Sequence, residues 1–262
     1  MGRVADEGAA RIQAQVRPDR QRVTGEARRA FPDWRFAPNI GNSPAIYEIE
    51  NRAFDRGGHV LDAMRQLAPW SDRTIVDLGR GTGFWLPRYA GDAERVIGIE
   101  PDPALREKAA ARTAGLPGVE VVAASAEHLG LPSCSADVVH ARFAYFFPPG
   151  GDAGLTEVLR VLRPGGSLVA VDNDYRWGEF ATLLAAASPA GPRERAEVTD
   201  GWWRDRGAIR REVHSGWAFD RRADLEAVLR IEFPAHVADA WLARHPAATG
   251  ISYGYVLFAV IA

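Results

Sequence analysis

The chain has 262 residues, 47% of them hydrophobic and 25% charged, a balance that can bury a sizeable core and excludes a largely disordered polymer. Its formal net charge of −2 offers no general attraction to phosphate backbones or anionic lipid, so neither nucleic acid nor a membrane is an expected partner. The single cysteine, Cys134, excludes an intrachain disulfide and a thiolate metal cluster, and with no apolar run of about 18 residues and no apolar leader core a cytoplasmic protein is expected.

In chain order, residues 1–30 are rich in Arg, Ala, Gln and Glu and read as a flexible arm. Residues 31–73 read as an N-terminal lid followed by helices. The lid stretch mixes Phe31, Trp34 and Phe36 with prolines and Asn/Gly, which suits irregular packing. Beyond it, Ile46, Ile49, Ala53 and Phe54, then Val60, Leu61, Met64 and Leu67, repeat at three and four residues on either side of Gly57-Gly58, predicting two short helices.

From residue 74 short apolar runs alternate with helical patterns. Strands are predicted at 74–78, 95–99, 119–123, 136–140 and 167–171, and helices at 84–89, 103–113 and 155–162, with Arg163-Pro164-Gly165-Gly166 read as a turn. This is the rhythm of an α/β parallel sheet, and apolar runs without alternation indicate strands covered on both faces. After Asp174 the chain turns aromatic and charged, and 175–215 reads as a cap inserted over a substrate crevice. Tyr175, Trp177, Trp202 and Trp203 are its candidate substrate wall; a homodimer contact or a nucleic-acid surface is the alternative use of these Trp and Arg side chains, the latter disfavoured by the absence of net positive charge. Helices at 221–232 and 235–244 and a strongly apolar strand at 253–261 complete the chain, with 212–219 as that strand's partner.

The loop Asp77-Leu78-Gly79-Arg80-Gly81-Thr82-Gly83 joins the first strand to a helix, where glycines permit a tight turn and close approach of a ligand to backbone. The position after Gly83 is Phe84 and no P-loop lysine follows, which disfavours pyrophosphate binding. Glu100, followed by Pro101, ends the next strand about 20 residues beyond, the place from which a carboxylate reaches ribose hydroxyls.

These residues resemble the class I S-adenosylmethionine-dependent methyltransferases, whose first motif is a strand ending in an acidic residue followed by G-x-G-x-G. The resemblance covers about 74–172 and implies S-adenosylmethionine as cofactor. It also implies a Rossmann-like, doubly wound seven-stranded mixed sheet, mainly parallel, with the last strand antiparallel. Carried over residue by residue, it implies a cofactor site of Asp77, Gly79, Arg80, Gly81, Gly83, Glu100, Pro101, Ser125, Ala126, Glu127, Arg142 and Phe143. Two positions depart from the pattern: Arg80 stands where many members have a small residue, and Ser125 replaces the usual adenine-binding aspartate.

An activated methyl group asks the protein chiefly for alignment and exclusion of water, with a base needed only for some acceptors. Candidate catalytic residues are Tyr145, His140 and Asp172. Tyr145 equally reads as packing, and a lone histidine among valines is more often structural. Asp172-Asn173-Asp174 resembles the metal-binding pair of catechol-type methyltransferases, but the aspartate required after the fourth strand is replaced by Ala141-Arg142, so no metal is expected. The expected reaction is in-line methyl transfer to oxygen or nitrogen of a small organic molecule. A protein methyltransferase, or a protein that binds the cofactor without transferring methyl, are the alternatives.

Overall fold

Every residue of β1 (Thr74–Leu78) is buried, as a strand covered on both faces requires. It runs parallel to β2 (Arg95–Ile99) on one side and β4 (Ala136–Arg142) on the other, so the chain order reverses here and a crevice is expected beyond the strands' C-terminal ends. The remaining strands are β3 (Val119–Val122), β5 (Leu162–Asn173), β6 (Ile209–Ala218) and β7 (Gly250–Ile261), and the sheet order is β3-β2-β1-β4-β5-β7-β6. β7 is antiparallel to both its neighbours. The predicted mixed sheet of seven strands is therefore found, with β6 starting earlier than the aromatic pattern at 212–219 suggests. This architecture comes from a computed structural model, which describes residues 25, 27–32, 34–148, 150–188 and 191–262; nearly all of the arm expected over 1–30 lies outside them.

Helices cover both faces. Met64, Tyr89, Phe180, Leu229 and Trp241 form one core layer, from α3 (His59–Leu67), α4 (Leu86–Ala90), α7 (Gly178–Ala187), α9 (Arg222–Glu232) and α10 (Ala235–Arg244). The opposite layer is built by Leu155, Val158 and Trp203, from α6 (Asp152–Val161) and α8 (Pro192–Arg204). The two layers follow from strand alternation: in β1, Ile75 faces the first and Val76 and Leu78 the second. No helix among the described residues is long and apolar enough to cross a membrane.

The structure corrects two sequence expectations. Residues 175–215 do not make a cap inserted over the crevice: α7 and α8 are core-forming layers and 209–215 belong to β6. Two of its arginines share one carboxylate, Asp200, which pairs with Arg176 at 2.8 Å and Arg210 at 2.9 Å. The Arg163-Pro164-Gly165-Gly166 turn is a bulge inside β5, since register passes from Ala136↔Leu162 to Val138↔Ser167. Gly165 takes φ +79° there, and Gly165 and Gly166 exchange backbone hydrogen bonds of 2.9 Å with Ala262.

At the other end of the chain, α1 (Pro38–Asn42) and α2 (Pro44–Ala53) lie across the C-terminal edge of the sheet. Glu48 of α2 accepts from Thr82 Oγ1 and pairs with Arg112 of α5 (Pro103–Thr113) at 2.7 Å. Asn39 Nδ2 donates to Glu232 Oε1 at 2.7 Å, tying α1 to the end of α9.

Candidate functional site

The glycine loop leaves β1 with Gly79, Gly81 and Gly83 at φ +61°, +57° and +75°, a left-handed run that only glycine adopts without strain. A Cβ on Gly81 would stand 2.5 Å from Ile40 Cδ1 of α1, and one on Gly79 2.5 Å from Ala144 Cβ. The bare backbone is thus the floor of a cradle that side chains would fill. Glu100 at the end of β2 is 4% exposed. Its Oε2 accepts the Gly81 N–H at 2.8 Å and its Oε1 the Asp102 N–H at 3.0 Å. Asp102 is fixed in turn as N-cap of α5, accepting from the Ala104 and Leu105 N–H groups. Burial pushes the Glu100 carboxyl up to about 7, against the lowering influence of the Asp102 and Gly81 amides and of Arg80.

Arg80 does not project into the crevice. Its Nη1 donates to Gly81 O at 2.8 Å, and its stem lies where a Cβ on Gly98 would be, 2.1 Å from Arg80 Cδ. The glycine in β2 makes room for an arginine that braces the loop from behind, close to Glu100. Asp77 is fully buried and receives Arg142 Nη2 at 3.1 Å, while the guanidinium lies 4.5 Å from the Trp85 ring centroid. Burial raises the Asp77 carboxyl and Arg142 opposes that rise. Asp77, Gly79, Arg80, Gly81, Gly83, Glu100, Pro101 and Arg142 are brought together at the ends of β1, β2 and β4. Ser125 and Ala126 are buried in the turn after β3, bridged Ser125↔His128, and Glu127 is half-buried there.

Where β4 ends, Phe143 and Tyr145 have φ +50° and +64°, conformations costly for bulky side chains and concentrated at functional sites. They turn the chain so that Phe143 meets Phe54, Tyr253 and Tyr255, whereas Tyr145 lies against α6 and its hydroxyl accepts the Gly154 N–H at 2.8 Å. Of the two readings open for Tyr145, the structure shows the packing one. His140 takes the structural place its setting among valines favours. It is fully buried between Trp70 and Tyr89, with ring centroids 5.3 Å away, and neither ring nitrogen has a partner. Burial first, and Arg142 second, push it down to about 3, so it is a neutral core side chain. Asp172 stays at the sheet edge, 6% exposed and raised to about 6 by burial.

The four aromatics expected to share one wall do not. Trp203 is 1% exposed and stacks on Phe258 of β7 at 5.3 Å and 10°. Trp202 packs on Phe146 and beneath Arg206, Trp177 stacks on His214 at 4.0 Å, and Tyr175 lies under Arg195. An aromatic cluster the sequence reading missed is formed by Phe54, Phe143, Tyr253 and Tyr255, the last two buried. Its members come from three distant segments whose meeting depends on sheet order.

Comparison with known proteins agrees with this geometry. Residues 75–166 match a family described as a methyltransferase domain. An uncharacterized methyltransferase of Mycobacterium tuberculosis is 32% identical over 151 residues, which is 56% of this chain and 60% of the relative. An aklanonic acid methyltransferase of a Streptomyces species is 27% identical over 166 residues, 62% of this chain and 74% of its own. The chain thus spans about three fifths of the mycobacterial relative it matches. Among solved structures, a SAM dependent methyltransferase from Aquifex aeolicus superposes with a TM-score of 0.54 at 17% identity, over 87% of this chain and 100% of that one. The YcgJ protein of Bacillus subtilis gives 0.55 at 18%, over 78% and 97%. At such identities the structural likeness is one of fold.

Proposed function

We propose that this chain, whose residues 75–166 match a methyltransferase-domain family, is a class I S-adenosylmethionine-dependent methyltransferase that transfers the methyl group of this cofactor to an oxygen or nitrogen of a small organic molecule. The observation that carries the reading is Glu100: a buried carboxylate at the end of β2, aligned by the amides of Gly81 and Asp102, beside a loop whose bare glycines leave backbone exposed to a ligand. When bound, S-adenosylmethionine supplies a methyl carbon on a positively charged sulfur, already activated for displacement.

The protein's part is to bind, orient and keep water out. Glu100 accepts from the ribose hydroxyls. The backbone at Gly79 and Gly81 lets the amino-acid portion approach. The Asp77–Arg142 pair holds the ends of β1 and β4 at fixed separation. α1 and α2 act as a lid: Ile40 lies directly over Gly81, and lifting that side chain admits the cofactor while its return excludes water.

Glu100 makes the reading testable through pH. A carboxyl held near 7 is largely protonated at pH 6, whereas hydroxyl donors favour the carboxylate; binding therefore releases a proton. Affinity for S-adenosylhomocysteine should rise about tenfold from pH 6 to pH 8. Glu100→Gln should remove this slope and weaken binding at pH 8 by about ten- to a hundredfold, roughly 1.5–3 kcal/mol. Calorimetry in two buffers of different ionisation enthalpy measures both the affinity and the released proton. A flat wild-type profile with an unimpaired variant would remove Glu100 from the site, and absence of labelled-methyl transfer to any small acceptor would remove the enzymatic reading.

A further inference from the structure

Beside the cofactor cradle, under α2, is a group of side chains the reading above does not use. Glu50 of α2 and Glu232 at the end of α9 face each other. Among the described residues neither carboxyl has an ion-pair partner, and the buried Glu50 Oε2 receives no N–H or hydroxyl donor. Glu232 is contacted by the Asn39 amide of α1. Next to this pair stand stacked rings: Tyr253 and Tyr255 are 4.2 Å apart at 25°, and Phe54 and Phe143 approach Tyr255 at 5.0 Å and 6.0 Å. The Tyr255 hydroxyl belongs to a side chain with 0% exposure, has no partner and lies within electrostatic reach of Asp55 and Glu50. Tyr253 is anchored by its hydroxyl to Asn173 at the end of β5, which places these rings at the sheet edge where β4 and β5 end.

Two half-buried carboxyl groups that hydrogen-bond each other share one proton and keep one negative charge, and with no ion-pair partner among the described residues that charge costs free energy. Tyr253 is covered on both faces, by Phe180 and Tyr255, but the Phe143 ring and the unpartnered Tyr255 hydroxyl oxygen favour a positive charge for the same electrostatic reason. A carboxylate acceptor would be repelled here, and a neutral one would leave the pair uncompensated. We propose that the acceptor of this enzyme is an amine, bound as its ammonium form between the Glu50–Glu232 carboxyl pair, the Phe143 ring and the Tyr255 hydroxyl, and that the pair takes its proton. The step balances simply: the N–H bond breaks, its proton bonds to a carboxylate oxygen, and the electron pair stays on nitrogen as the nucleophile. Burial and the neighbouring Glu232 charge hold Glu50 well above the usual carboxylate range, so Glu50 carries the shared proton and the ionised Glu232, itself raised by burial, is the oxygen that accepts the ammonium's proton. Asn39, on the lid, donates to Glu232 in the closed form, so lid opening frees an acceptor for the incoming ammonium.

This inference rests on the methyltransferase reading, and the test separates the two. Protein saturated with S-adenosylhomocysteine is titrated calorimetrically with matched trios on one aromatic skeleton: 2-phenylethylamine, 2-phenylethanol and phenylacetate, then larger ring systems bearing the same three groups. The amine member should bind at least tenfold more tightly than its alcohol and acid counterparts. Glu50→Gln and Glu232→Gln should each reduce that preference by tenfold or more while S-adenosylhomocysteine affinity stays as in the wild type. Should one variant fail to fold, judged by its thermal melt, the other carries the comparison. An alcohol or acid that binds as well as the amine, a preference surviving both substitutions, or a panel in which no amine binds would overturn the inference and leave the cofactor reading intact. Failure to bind S-adenosylhomocysteine at all would overturn the cofactor reading itself.

Discussion

Gly81→Val abolishes cofactor binding in a protein that still folds: the expected loss is more than about a hundredfold, near or above 3 kcal/mol. The expectation follows from the position of the Cα. At φ +57° a β-branched residue is strained by about 1–2 kcal/mol, a modest part of a domain's stability. The new Cβ meets only the tip of the Ile40 side chain, which can rotate away. The side chain would then stand in the space the structure reserves between the loop and α1, and no rearrangement of the cofactor avoids it. Calorimetry with S-adenosylhomocysteine gives the affinity and a thermal melt the fold. Gly81→Ala should lie between the two, weakened by about tenfold, since it adds the strain and one methyl without filling the cradle. Wild-type affinity in the valine variant, or loss of the cooperative melt together with binding, would show that this loop does not hold the cofactor.

The loop and its acidic partner were legible in the sequence because their signal is local. Gly79, Gly81 and Gly83 follow β1 directly, Glu100 ends β2, and register then places the two strands side by side. The same holds for β1, β2 and α5, whose predicted and observed bounds coincide. Long-range features were not legible. His140 stands at a strand end like a functional residue, but Trp70 and Tyr89 enclose it, and neither is near it in sequence. The strained backbone at Phe143 and Tyr145 sends adjacent aromatics in different directions, a fact no hydrophobic pattern encodes. Glu50 and Glu232 are separated by most of the chain and by six strands, β1 to β6, so their pairing could be seen only in the folded sheet. The segment after Asp174 misled for a physical reason as well. Asp200 of α8 pairs with Arg176 before the helix and Arg210 after it, while the same helix buries Ala196, Thr199 and Trp203.

That burial leads to a second large effect: Trp203→Ala should destabilise the fold by about 3–5 kcal/mol and leave the affinity for S-adenosylhomocysteine unchanged in the folded fraction. The indole is among the largest fully buried side chains, lying flat on Phe258 and touching Phe146 and Trp202. Truncation therefore opens a cavity between α8 and β7 whose rigid lining can close only in part. In urea the midpoint should fall by about 1–2 M with little change in slope, because the surface exposed on unfolding is nearly the same. Trp203→Phe keeps most of the contact and should cost only about 1–2 kcal/mol. A side chain that lined the substrate crevice would behave in the opposite way: stability would stay within about 0.5 kcal/mol while kcat/KM fell and the cofactor still bound. The two sites predict opposite pairs of results, so one denaturation curve and one titration on the same variant decide whether Trp203 holds the sheet together or meets the acceptor.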